Sequence, residues 1–219
     1  MDADLVRLSR FAYNTAVTSA TICRSLRVSS SELLGPEIGS VWFQVQAIDV
    51  LFHEAMDDLP LDEVVSLDKV NLCNIYRAYY MRALQFMLDL AQCDFSQPDS
   101  AVDRSQISAM VAHGTSTISS LTAQTVRTIP YILGPQLLSA TSAISAQQAV
   151  LDRSVCWGDV LQLLWPLRII MARKQLIDVD DIQTVNNALH KISADYCIRQ
   201  AVAPLHTYES HIGPMTVRF

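Results

Sequence analysis

Glycine is scarce in this chain, with six among 219 residues, and charged residues make up only 17% of it. A disordered or linker-rich protein needs the opposite balance, so that class is excluded. No run of about 18 consecutive apolar residues occurs, and nothing reads as a membrane-spanning helix. The opening "MDADLVRLSRFAYN" is acidic and then amphipathic, without the basic and apolar blocks of a secretory signal. An intracellular protein, cytoplasmic or nuclear and with no membrane partner, is the expectation. Positive charge is short too. The net charge of −6 opposes direct nucleic-acid binding, which needs a basic patch against phosphate. The one compact basic cluster is Arg168, Arg173 and Lys174, and the latter two suit a helix end, where cations complement free carbonyls.

The five cysteines, Cys23, Cys73, Cys93, Cys156 and Cys197, are odd in number, far apart and without a Cys-x-x-Cys pair. Such spacing gives neither a zinc site nor a disulfide framework, and predicts buried thiols packed as small hydrophobes. There is also no glycine-rich phosphate loop, no Gly-x-Ser-x-Gly and no His-Glu-x-x-His. No cofactor and no metal is therefore expected. "DDLPLDE" gathers acids, but Leu61 stands where an aspartate-rich metal motif has another acid, and Pro60 breaks the helix that motif requires. It reads as a solvated loop.

What is present is apolar side chain, half of all residues, enough for one densely packed domain over 1–219. Apolar positions recur at helical spacing nearly throughout, and two-residue alternation is missing. The prediction is an all-α fold of about seven helices. They are placed at about 3–27, 39–57, 70–92, 102–128 and 136–151, then one through "DVLQLLWPLRIIMARKQL" and one starting at Asp178. Val41, Val45, Ile48 and Phe52 form the core stripe of the second, while the third is apolar around most of its circumference and should be central. Asp178, with Asp181 three residues on, is an N-cap signature for the last. Pro166 is expected to kink the sixth helix.

Within that frame several polar and aromatic residues are candidates for chemistry. Asp49 and His53 are four apart and can touch, as a boundary ion pair or as a carboxylate orienting an imidazole for acid–base work. Trp42 precedes them at helical spacing. Tyr76, Tyr79 and Tyr80 on the third helix are packing residues or donors to a ligand carbonyl. His113, beside Gly114 and one turn before Thr117, lies in a small-residue helix that either accepts a close neighbour or leaves a cavity. Tyr131 is a further candidate for ligand contact. Arg168 must find a partner or water, either an acid such as Asp159 or Asp152, or a ligand carboxylate or carbonyl in a pocket beside Trp165.

"LLWPLRIIMARKQLIDVDDIQTVNNALHKISADYCIRQA" resembles the C-terminal part of the fungal-specific transcription factor domain, the helical regulatory region of zinc-cluster activators. Leu164, Trp165, Pro166 and Leu167 match its Leu-Trp-Pro-Leu-like segment, and an acidic-started helix follows. Ile198, Arg199, Gln200 and Ala201 match its Gly-Ile-x-Gln-Ala-like tail, and "TIPYILGP" falls where that family has a break. The likeness covers about 60–203. The six-cysteine zinc cluster, the basic linker and the dimerising heptads of the family are missing from this sequence. The resemblance thus implies a helical scaffold that binds an apolar small molecule or a protein partner, such as a second copy, without reading DNA. The scaffold that the resemblance implies admits a second expectation, a cofactor-free cyclase or pericyclase of Diels–Alder type in fungal secondary metabolism. Holding a near-attack conformer can supply about 7–11 kcal/mol of a barrier without any standard motif. For that enzyme His53, Asp49, Tyr79 and Arg168 are the catalytic candidates, and Trp42, Tyr76, Tyr80, His113, Thr117, Tyr131 and Trp165 would bind the ligand.

Overall fold

The computed structural model describes residues 3–27, 35–57, 67–92, 101–134 and 157–203. Helices and turns make up these residues, with no strand among them. In chain order the helices are α1 (Ala3–Arg27), α2 (Gly35–Asp57), α3 (Leu67–Gln92), α4 (Ala101–Val126), the single-turn α5 (Ile129–Leu133), α6 (Trp157–Met171) and α7 (Val179–Asp195). Two 3₁₀ turns, Lys174–Leu176 and Arg199–Ala201, follow α6 and α7. The helix expected at 136–151 and most of the "DDLPLDE" loop lie outside the described residues.

The centre of the fold is α3, buried on nearly every side as its apolar circumference requires. It touches α1, α2, α4 and α6. Phe11 of α1 stacks against both Tyr76 and Phe52, and Phe52 stacks on Tyr80, so aromatic rings join the first three helices. On α2 the stripe Val41, Val45, Ile48, Phe52 and Ala55 is buried, each large side chain contributing about 1.5–3 kcal/mol of transfer free energy. The helix begins at Gly35, four residues before the expected start, because Pro36 is tolerated in a first turn that has no intrahelical donors to lose.

Against α3, α4 runs antiparallel. Asn74 meets Thr128, Met81 meets Thr122, and Leu88 meets Gly114. The small-residue helix is there for close approach: a Cβ on Gly114 would stand 2.9 Å from Met87 Cε and 3.0 Å from Leu88 Cδ2. With α6 the relation reverses. Asn71 bonds Asp159 at 3.1 Å, Gln85 bonds the Ile169 carbonyl at 2.8 Å, and Asp89 pairs with Arg173, so both helices advance in the same direction.

Pro166 is buried inside α6, which is bent. The proline has no N–H for the Gln162 carbonyl and crowds it, the usual origin of such a bend. The expected cap of α7 is present: Asp178 has extended backbone, and its Oδ1 accepts from the Asp180 N–H at 2.8 Å. "TIPYILGP" holds α5 where the sequence suggests only a break, since Pro130 in its first turn favours a helix start. One cysteine departs from expectation. Cys73 is buried, but Cys197 is exposed and adopts φ 57°, in the left-handed position just past α7 that commonly ends helices. Cys93, Cys156 and the side chain of Cys23 lie outside the description. No described helix is long and apolar enough to cross a membrane.

Candidate functional site

The candidates separate into three places. The first lies where α2, α3 and α4 meet. Because Ile48 and Phe52 face the core, Asp49 and His53 fall at its rim, and the pair touches: His53 Nδ1 is 3.3 Å from Asp49 Oδ1 and 2.8 Å from the Asp49 carbonyl. Tyr80 reaches the same carboxylate from α3, donating its hydroxyl to Asp49 Oδ1 at 2.7 Å. His113 Nε2 of α4 is 3.2 Å from that hydroxyl oxygen. Since the phenolic proton goes to Asp49, the oxygen is left as an acceptor and His113 must carry its proton on Nε2. Trp42 sets its ring edge-on to His113, 5.3 Å between centroids. Thr117 is half-buried one turn beyond His113.

Chemically this cluster is a clamp. Tyr80 is wholly buried, and its phenol is pushed well above the ordinary range, first by burial, then by the hydrogen bond to Asp49 and by the carboxylate's charge. It stays neutral and gives its proton to no ligand. His53 is two-thirds exposed, while Asp49, Trp42, His113 and Thr117 are half-buried around the enclosed Tyr80.

The second place is the α3–α6 seam. Tyr79 packs edge-on to Trp165, 4.7 Å between centroids, and Trp165 closes the outer side of the seam while Pro166 is buried within it. Tyr76 is buried against Phe11 on the α1 side, remote in the fold from this pair, and Tyr131 stands exposed on α5.

The third place belongs to Arg168. Asp159, offered as its partner by the sequence, accepts instead from Asn71. Asp152 lies outside the described residues. Arg168 Nη1 donates to the carbonyl of Gln200 and so fastens the final 3₁₀ turn to α6. The same guanidinium borders an open groove of about 200 Å³ between α6, α7 and that turn. Asn186 and His190 share its polar side, and Met171, Leu189 and Val202 supply its apolar wall. Neither Asn186 nor His190 was singled out from sequence. Their signal was present, one turn apart beside the buried Val185 and Leu189, but polar residues flanking a core stripe are the ordinary pattern of a surface helix.

The three places do not converge on one cavity. Among the described residues no group of His, Cys, Asp and Glu is arranged to hold a metal ion. No family model, no characterised protein and no solved structure matches the chain.

Proposed function

We propose that this protein is a ligand-sensing helical domain of the kind that regulates fungal zinc-cluster activators, acting as a sensor or coregulator, in the cytoplasm or nucleus, without touching DNA itself. The reading rests on the quoted likeness of its C-terminal helices and on one geometric observation. Arg168, the basic residue in the last turn of α6, stands at the edge of a groove, with one guanidinium arm tied to Gln200. An arginine so fixed presents the rest of its planar fork to a carboxylate or carbonyl, while the apolar wall takes a short hydrocarbon part. The ligand class is a small, mostly apolar molecule with one such acceptor group. A groove of this size covers only part of a drug-sized molecule, for which pockets are usually about 300–1,000 Å³, so binding is expected to be reversible and moderate.

A second reading, a cofactor-free cyclase or pericyclase, draws support from the solvent-facing Asp49–His53 pair beside Trp42. One experiment separates the two. The purified chain is incubated with a fungal lipophilic extract, and bound and free fractions are compared by mass spectrometry. Retention of a compound unchanged in mass and chromatographic position, lost in Arg168→Met, is the expected result. Conversion to an isomer of equal mass and new retention time, absent after heat treatment and abolished in His53→Ala, would replace the sensor with the enzyme. Retention that survives Arg168→Met would remove the groove from either account.

A further inference from the structure

Arg168 of α6 and Asn186 and His190 of α7 bring three hydrogen-bonding side chains to one groove. Asn186 and His190 are four residues apart and share a face of their helix. Leu189 between them is buried, which fixes the register of α7 and sets His190 at the exposed rim. Arg168 is anchored, since one of the five N–H donors of its guanidinium goes to the Gln200 carbonyl. Met171, Leu189 and Val202 form the facing wall.

The supply of donors decides the kind of acceptor. A neutral carbonyl offers one oxygen with two lone pairs, whereas an ionised carboxylate offers two oxygens with about four acceptor positions. The Arg168 fork, the Asn186 amide and a protonated His190 hold more donors than one carbonyl oxygen accepts, and two of the three carry positive charge. Charge-assisted hydrogen bonds are roughly twice as strong as neutral ones. The wall opposite favours hydrocarbon and would strip water from an inorganic phosphate without replacing its hydrogen bonds. At about 200 Å³ the groove matches the liquid volume of about six or seven waters, room for a headgroup and a chain of a few carbons.

We propose that the ligand of this groove is the anion of a short aliphatic monocarboxylic acid, and that protonated His190 selects the carboxylate over a neutral carbonyl. The inference rests on the groove reading given above and narrows it. Arg168 seats the acceptor group whatever its charge, and His190 adds a second positive charge that only an anion exploits. Among the described residues Arg168 of α6 and His190 of α7 are the titratable groups bordering the groove, and the final turn contributes Ala201 and Val202, which do not titrate. Binding therefore strengthens as pH falls through the range of about 5–8 in which imidazoles gain a proton.

The probes are hexanoate and hexanamide, alike in shape and different in headgroup charge. Each is titrated into the wild type and into His190→Gln at pH 5.5 and pH 8, where a carboxyl is largely ionised. Binding is followed by the NMR methyl signals of Met171, Leu189 and Val202. At pH 5.5 the wild type is expected to hold hexanoate about tenfold more tightly than hexanamide, and this preference should shrink roughly threefold at pH 8. His190→Gln, altered at an exposed position and retaining a neutral donor, should show the smaller preference at both pH values. Equal affinity for acid and amide would overturn the proposal and leave the groove to a neutral carbonyl ligand. A preference undiminished in His190→Gln would overturn it too, because Arg168 would then read the charge alone. Displacement of hexanoate by an equal concentration of inorganic phosphate would put a phosphate in place of the carboxylate. If neither probe moves the three methyl signals of the folded protein, the groove reading itself fails and the proposal falls with it.

Discussion

The side-chain amide of Gln85 donates to the main-chain oxygen of Ile169 across 84 residues of sequence. That oxygen lies in the last turn of α6, where the ladder tightens: Arg173 N–H bonds the Ile170 carbonyl and Ala172 N–H bonds that of Arg168. Gln85 supplies the donor that the tightened turn leaves out. Replacing it with Leu strands a buried carbonyl, with an expected loss of about 1–3 kcal/mol in urea unfolding. An unchanged midpoint would show that water reaches the carbonyl instead.

Two helical glycines give opposite expectations. Gly39 of α2 has only Gln106 nearby, at 3.7 Å from an added Cβ, so Gly39→Ala should stabilise by about 0.5–1 kcal/mol through lower backbone entropy in the unfolded chain. At Gly114 the same gain is opposed by Leu88 Cγ at 3.1 Å as well as by the closer Met87 and Leu88 methyls. Overpacking costs about 1–3 kcal/mol, so Gly114→Ala should destabilise and Gly114→Val should do so severely. Thermal midpoints that move in the same direction for both alanine variants would contradict the close α3–α4 contact.

High pH should find Tyr80. In the unfolded chain its phenol titrates near pH 10, whereas the folded state holds the proton to higher pH because burial and Asp49 disfavour the phenolate. Below about pH 10 both states are protonated and the group leaves stability unchanged with pH. As pH rises past that value only the unfolded chain releases the proton, so stability falls toward the folded pKa. Tyr80→Phe should lack this part of the alkaline decline, although it is less stable at neutral pH for want of the Asp49 bond. Parallel losses in the two proteins between neutral pH and about pH 11 would show that Tyr80 is not the group responsible.

Trp165 and Arg168 are neighbours on α6 with different duties. Trp165→Ala removes the packing on Tyr79, and since the ring is partly exposed the expected cost is below the roughly 3–5 kcal/mol of a fully buried aromatic. It should leave ligand retention in the groove unchanged. Arg168→Met should do the reverse in kind, weakening retention at least tenfold, a loss of about 1.4 kcal/mol of binding. If Trp165→Ala instead abolishes retention while unfolding is unaffected, the ligand lies on the α3–α6 seam.

Local pattern carried most of the fold. The stripe through Val41, Val45, Ile48 and Phe52, the all-round apolarity of α3 and the cap at Asp178 are each written within a single helix and its flanking residue. Asp49 and His53 were legible for the same reason, being one turn apart. Their union with Tyr80 and His113 was not, because it depends on three helices meeting. The Arg168 groove is assembled from α6, α7 and a turn thirty residues on, with Gln200 as anchor across a separation of 32. The buried Arg77 of α3, hydrogen-bonded to Asn74, was hidden differently. A helix apolar enough to be central gives no hint of which polar residue it carries inward, and Asn74, its partner, looks like any other interruption of the pattern.

The parallel course of α3 and α6 has a consequence for how the chain comes together. Two helices that advance in step cannot be joined by a tight turn, and here the paired residues Asn71 and Asp159 are separated by 88 positions. A nascent chain that has reached only Gly134 has already made α1 to α5 but exposes the face of α3 that α6 will cover. Two polypeptides, one ending at Gly134 and the other carrying the rest, should therefore each be poorly soluble and should rescue one another when produced together. Such complementation would make the protein a two-part lock in which the later piece closes the earlier one.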